Sequence, residues 1–156
     1  MIKLLRVDYR LLHGQVALAW TQQINTDCIL IANDKLMQDE IKKTTIKLAK
    51  PNGVKLVIKN IEDSIAAIKS GVTDKYKLFI IVETIEDAAK LSNELPDIKS
   101  INIGGVMPRE GTRTITKSVP ISKEEERILQ ELINRDVELE IRQVPGDKKI
   151  LVKNVL

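Results

Sequence analysis

One cysteine in the chain, Cys28, leaves no partner for an internal disulfide, and its place inside the apolar run Cys28-Ile29-Leu30-Ile31 reads as core. A reduced, cytoplasmic compartment is the expectation. With only one histidine besides, a zinc site would have to rest mainly on carboxylates, and no metal is expected. Aromatic residues make up 3% (Tyr9, Trp20, Tyr76, Phe79), too few for the stacking platforms of single-strand binders. The net charge of +3 is spread over 25 basic and 22 acidic residues, so nucleic acid is not an expected partner. No apolar run approaches the ~20 residues of a bilayer span, and the N-terminus lacks the pattern of a signal peptide, so a soluble protein is expected. Glycine-rich phosphate loops are missing too, both Gly-x-Gly-x-x-Gly and Gly-x-x-x-x-Gly-Lys-Ser/Thr, as is the Gly-x-Ser-x-Gly elbow of serine hydrolases. Nucleotide cofactors and serine hydrolysis lose their support, and no cofactor is expected.

What the chain does have is alternation. At 156 residues, with 43% hydrophobic and 30% charged residues, it suits one domain over 1–156. Strand-like runs fall at 2–8, 28–32, 54–59, 77–82, 100–103, 113–119 and 137–144. The first five are mostly continuous apolar runs, as in a parallel sheet covered on both faces. The last alternates, which suits an edge strand with one wet face that could pair across a homodimer. Helical stripes fill the gaps: Val16, Ala17, Trp20 and Ile24; Met37, Ile41 and Leu48; Ile61, Ile65, Ile68 and Val72; then two more, around Ala88 and Leu129. Asn60, Thr84 and Ser122 each precede an acid by three residues, as helix caps do. The fold expected is α/β, a doubly wound and mostly parallel sheet with helices on both faces and an antiparallel edge strand near the C-terminus.

The segment Arg6-Val7-Asp8-Tyr9-Arg10-Leu11-Leu12-His13-Gly14-Gln15 stands where the first strand hands over to the first helix. In open parallel sheets, ligands bind outside the carboxyl ends of the strands, so His13 belongs on the functional edge. A neutral imidazole is a nitrogen nucleophile, and arginine matches phosphate oxygens with planar donors. Free N–H groups at a helix start, here at Gly14 and Gln15, favour an anion. Asp8 could orient the loop, bond Arg10 or steer the imidazole tautomer. The plainer alternatives are a satisfied loop histidine and a solvated charge run at Arg6, Asp8 and Arg10. Gly104 and Gly105 end a strand on the same edge and either permit close approach of a substrate or serve a tight turn. The stretch from Gly104 to Thr112 reads as a loop at a site.

Arg6-Val-Asp-Tyr-Arg-Leu-Leu-His13-Gly-Gln-Val-Ala, with Trp20 shortly after, resembles the N-terminal signature of IIB components of the bacterial sugar phosphotransferase system, mannose/fructose/sorbose family. Ile101-Asn102-Ile103-Gly104-Gly105 and Glu138-Leu139-Glu140-Ile141-Arg142-Gln143-Val144-Pro145 are similar to later segments of that family. The resemblance implies that His13 is a phosphohistidine intermediate, loaded by a IIA phosphocarrier and unloaded onto a sugar held by membrane IIC and IID components. Arg10, Asp8 and Arg6 match the motif around it, and Gly14 and Gln15 complete the supporting set. It further implies peripheral association with a membrane complex. Tyr9 stands where many members have a second acid, a departure that bears on sugar or partner.

Such chemistry is positioning plus electrostatics and asks for a histidine on a shallow surface. Two other readings remain open on the residues alone: a non-catalytic module that binds an anion or small ligand, and a hydrolase or isomerase of sugar phosphates.

Overall fold

In the computed structural model, which describes residues 1–156, the strands β1 (Ile2–Asp8), β2 (Cys28–Ala32), β3 (Lys55–Lys59), β4 (Leu78–Val82) and β5 (Ser100–Gly105) run parallel. A hairpin of β6 (Arg113–Thr116) and β7 (Val119–Ile121) follows, then β8 (Glu138–Ile141) and the two-residue β9 (Ile150–Leu151). The main sheet has the order β3-β2-β4-β1-β5-β8-β9. Only β9 runs antiparallel in it, so the expected architecture is the observed one.

Helices α1 (Gly14–Ile24) and α2 (Glu40–Leu48) carry the chain in one direction across the sheet, and α3 (Ile61–Lys69), α4 (Ile85–Glu94) and α5 (Lys123–Asn134) carry it back. Right-handed crossovers in opposite directions lie on opposite faces. Accordingly Ala17, Trp20 and Ile46 pack with Ile29, Ile31, Phe79 and Ile81 on one face. Ile61, Ala88 and Leu129 pack with Leu5, Val7, Leu30 and Ile80 on the other. Asn60, Thr84 and Ser122 cap α3, α4 and α5 as their spacing predicts, each accepting from the N–H three residues on. No helix is long and apolar enough to cross a membrane.

Four expectations need correction. β8 is no edge: it lies between β5 and β9, so both its sides are paired and it cannot join a second copy. Of its alternating polar positions Glu138 is wet, but Glu140 faces other polar groups inside the protein. Glu140 is buried and paired with Arg142 at 3.0 Å, and polar residues of that parity look the same in sequence whether water or other polar groups face them. The run 113–119 is broken by a turn at Lys117 and Ser118 into a hairpin. The second helical stripe fails, since Ile41 and Leu48 are exposed, Met37 lies in a separate short turn of helix, and Ile46 is the buried residue of α2. Val72 lies beyond the end of α3 and is exposed.

Candidate active site

The carboxyl ends of β1, β5 and β8 meet at one rim. Along β1, Leu5 and Val7 face the α4 side, which leaves Arg6 and Asp8 on the side of α1. In register with Arg6 stands Asn102 of β5, and with Asn102 stands Glu140 of β8. A polar row therefore crosses three otherwise apolar strands.

Arg6 is 1% exposed. Its Nη1 donates to Asn102 Oδ1 and to the Arg142 carbonyl at 3.1 Å, and its Nη2 donates to Asp8 Oδ2 and to the Gln143 carbonyl, each at 3.0 Å. The Trp20 ring lies against it with 5.4 Å from Cζ to centroid, and Trp20 Nε1 donates to the Gln143 carbonyl at 2.8 Å. Gly104 is bare because Arg6 fills the space: a Cβ there would lie 2.0 Å from Nη2. The close approach that Gly104 permits is thus to the chain's own guanidinium. Arg6 braces the rim from within, with both terminal nitrogens committed to partners inside the protein.

Asp8 ends β1 fully buried and gathers the loop that follows. Its Oδ1 accepts from the Arg10 backbone N–H at 3.0 Å and from Arg10 Nε at 3.2 Å. Its Oδ2 takes Arg6 and, at 2.9 Å, His13 Nε2. Asp8 therefore contacts the backbone and side chain of Arg10 and the imidazole of His13 at once. Burial alone would raise its pKa, but the His13 hydrogen bond, the Arg6 charge and the Arg10 N–H outweigh it and hold the carboxyl at about 2. A solvated charge run is excluded for Arg6 and Asp8, although Arg10 is exposed.

The turn from β1 to α1 is tight. Leu11 N–H donates to the Asp8 carbonyl at 2.8 Å, and Leu11 adopts φ 60° while buried, a left-handed conformation that costs a leucine roughly 1–2 kcal/mol. Packing of the Leu11 and Leu12 side chains beside Trp20 offsets that strain and fixes where the next residues fall. His13 is the N-cap of α1, extended at φ −149°, with no side-chain cap bond. Its imidazole is free to turn back to Asp8 and stays 26% exposed. Gly14 follows at φ 40°, and the exposed first turn presents the N–H groups of Gly14 and Gln15 outside the helix ladder.

His13, Arg10, Asp8, Gly14 and Gln15 thus come together at the rim, with Arg6 beneath them. Sequence reasoning missed the brace formed by Asn102, Trp20, Arg142 and the Gln143 carbonyl. Its signal was there in the shared parity of Arg6 and Asp8, Asn102 and Gly104, and Glu140 and Arg142 along three strands.

The chain is similar to a probable phosphotransferase enzyme IIB component of Streptococcus pyogenes, 41% identical over 106 residues, which are 68% of this chain and 65% of that protein. It spans just under two thirds of that relative. The sorbose-specific EIIB component of Klebsiella pneumoniae is 30% identical over 149 residues, covering 96% of this chain and 91% of the relative. The crystal structure of the IIBSor domain of the Klebsiella pneumoniae sorbose permease superposes with a TM-score of 0.93 at 28% identity, over 99% of this chain and 94% of that one. These likenesses do not favour a non-catalytic module. The family model of the sorbose subfamily IIB component of the phosphotransferase system matches residues 2–156, and the chain belongs to that family.

Proposed function

We propose that His13 carries the phosphoryl group, on Nδ1. The observation that carries this reading is the 2.9 Å hydrogen bond between His13 Nε2 and a carboxylate held ionised by its surroundings. An ionised carboxylate only accepts, so Nε2 keeps the proton of the neutral ring and the lone pair is on Nδ1. In the first step that lone pair attacks the phosphorus of a phosphohistidine on a IIA protein. The new N–P bond forms as the donor's N–P bond breaks, and the donor ring leaves with the electron pair. In the second step a sugar hydroxyl attacks the same phosphorus, the bond to Nδ1 breaks, and the hydroxyl proton passes to solvent.

Arg10 and the N–H groups of Gly14 and Gln15 are the groups suited to the phosphoryl oxygens, and Asp8 and Arg6 position the ring. A partly exposed imidazole at the rim suits docking by a second protein better than capture of a free substrate in a closed pocket. The sugar is held by membrane IIC and IID components. The chain works as one domain over 1–156, in the cytoplasm and peripherally bound to that complex.

Incubation with a phosphorylated IIA protein and mass measurement tests the reading. One acid-labile phosphate is expected on the wild type and none on His13→Ala, and nitrogen-phosphorus coupling by NMR should place it on Nδ1. No gain in the wild type would overturn the assignment.

A further inference from the structure

The apolar residues at Ile41 and Leu48 of α2 face away from the core. Ile41 is 84% and Leu48 83% exposed, more than any other large hydrophobic residue of the chain. The helix instead buries Ile46, with Lys42, Lys43 and Ala49 half-buried around it. At about 100° of turn per residue, Ile41, Thr44 and Leu48 fall on one line along the opposite side. Thr44 Oγ1 donates back to the Glu40 carbonyl at 2.9 Å, and Thr45 Oγ1 to the Ile41 carbonyl at 3.1 Å. Both hydroxyls are satisfied inside the helix, so covering this face leaves neither donor unpaired.

Charges of opposite sign flank the two ends of this stripe. Glu40 and Lys47, both exposed, lie on the same flank of the helix. When two such helices pack antiparallel about an axis between Thr44 and Thr45, Ile41 of each copy meets Leu48 of the other, and Glu40 of each meets Lys47 of the other. A parallel pair would set Glu40 against Glu40 and Lys47 against Lys47. Within one copy Glu40 is tied only to Lys43, by an exposed pair of 3.3 Å that contributes little. The small Thr44 at the centre lets the helices approach closely. The free edge of the sheet is a poorer joint, since two copies of β3 paired antiparallel about Val57 would oppose Lys55 to Lys59 twice.

We propose that two copies of this chain associate through α2 as a weak antiparallel homodimer, with Ile41 and Leu48 at its centre and Glu40–Lys47 pairs at its flank. Two helical turns a side bury less than the ~1,200 Å² at the lower limit of stable interfaces, so the expected dissociation constant is on the order of 100 μM. A lipid surface would cover Ile41 and Leu48 but set Glu40 against its anionic headgroups. Because α1 and α2 both start at the carboxyl edge of the sheet, antiparallel pairing turns the two His13 rims to opposite ends. Association and the chemistry at His13 are therefore independent of each other.

Sedimentation equilibrium of the full chain from about 10 μM to about 1 mM tests this. A reversible monomer–dimer equilibrium is expected, with a dissociation constant that rises about tenfold or more in Ile41→Ser and in Leu48→Ser while the unfolding midpoint at low concentration stays the same. Glu40→Lys and Lys47→Glu should each weaken association about threefold or more, and the two together should restore it to within about twofold. In a parallel pair each single exchange would leave like charges facing like and change little. A chain still monomeric at about 1 mM overturns the proposal, and flotation of that monomer with anionic phosphatidylglycerol vesicles would give the stripe to a lipid surface instead. A dimer indifferent to Ile41→Ser and Leu48→Ser, or one that the double exchange fails to restore, overturns it as well.

Discussion

Asp8 and His13 are joined by one hydrogen bond of 2.9 Å, and the oxygen that makes it also takes Arg6 at 3.0 Å. The ring is therefore held from behind by a carboxylate that is itself held from behind. Asp8→Asn removes the charge and offers an amide that can present either its oxygen or its NH₂ group to Nε2, so the tautomer is no longer imposed. Phosphoryl acceptance should fall on the order of tenfold to a hundredfold, as it does for comparable orienting partners. Stopped-flow or quenched-flow transfer from a phosphorylated IIA protein measures the rate, and ¹⁵N shifts of the ring report the tautomer. An unchanged rate with an unchanged tautomer would remove Asp8 from the mechanism.

The same carboxyl makes a pH signature. Burial alone would raise its pKa, yet the His13 hydrogen bond, the Arg6 charge and the Arg10 N–H hold it at about 2. A carboxyl whose folded pKa is depressed stabilises the fold above its unfolded pKa and loses that contribution as pH falls through the folded value. The window is therefore about pH 4 down to about 2, and the contribution is about 2 kcal/mol. Denaturant unfolding across that range should show a loss in the wild type that is smaller by about this amount in Asp8→Asn. Equal losses in both proteins would contradict it.

Gly104 and Arg6 are predicted to be coupled. A Cβ at Gly104 would sit 2.0 Å from Arg6 Nη2 and 2.3 Å from Cζ, and those atoms are pinned by Asn102, Asp8 and two carbonyls. Gly104→Ala must displace a buried guanidinium whose terminal nitrogens are both hydrogen-bonded and should cost about 3 kcal/mol or more. Once Arg6→Ala has emptied the space, the same substitution meets no clash. The double variant should be more stable than the sum of the two losses allows, by about 1–3 kcal/mol. Additive losses in urea unfolding would show that the two positions do not share the space.

The same row explains what the sequence showed and what it hid. Continuous apolar runs made β2 and β4 plain because every residue of both is buried. His13 and its neighbours were visible because their chemistry lies within eight residues of one loop. The brace was hidden because it joins positions 96 and 136 residues apart, and only strand pairing brings Asn102 and the Arg142 carbonyl to Arg6. β8 was misread as an edge because a buried ion pair such as Glu140 with Arg142 has the polar parity of a wet face. Leu11 could not be foreseen at positive φ, since nothing but the packing of the turn holds a leucine there.

A cap that makes no hydrogen bond to the loop around His13 supplies a control. Ser122 Oγ accepts from Glu125 N–H at 3.1 Å, and Glu125 Oε1 accepts from Ser122 N–H at 2.8 Å, so α5 begins with both donors satisfied. Ser122→Ala should cost about 1 kcal/mol in thermal or urea unfolding and leave the rate of His13 phosphorylation as it was. A stability loss within error would show that the helix does not depend on this cap.

Arg10 is the cation that the structure leaves facing outward. Its backbone N–H, which any residue but proline supplies, makes the turn with Asp8 at 3.0 Å, and its side chain is 39% exposed. Arg10→Ala should therefore leave the fold and the unfolding midpoint nearly unchanged while removing the guanidinium that can meet the phosphoryl oxygens. Losing a charge-assisted contact made in the transition state costs roughly 1.5–3 kcal/mol, which corresponds to a fall of about tenfold to a hundredfold in transfer rate. Arg10→Lys, which restores charge but not the planar fork, should recover only part of it. Transfer at the wild-type rate in Arg10→Ala would leave the first helical turn at Gly14 and Gln15 as the whole of the phosphate's reception.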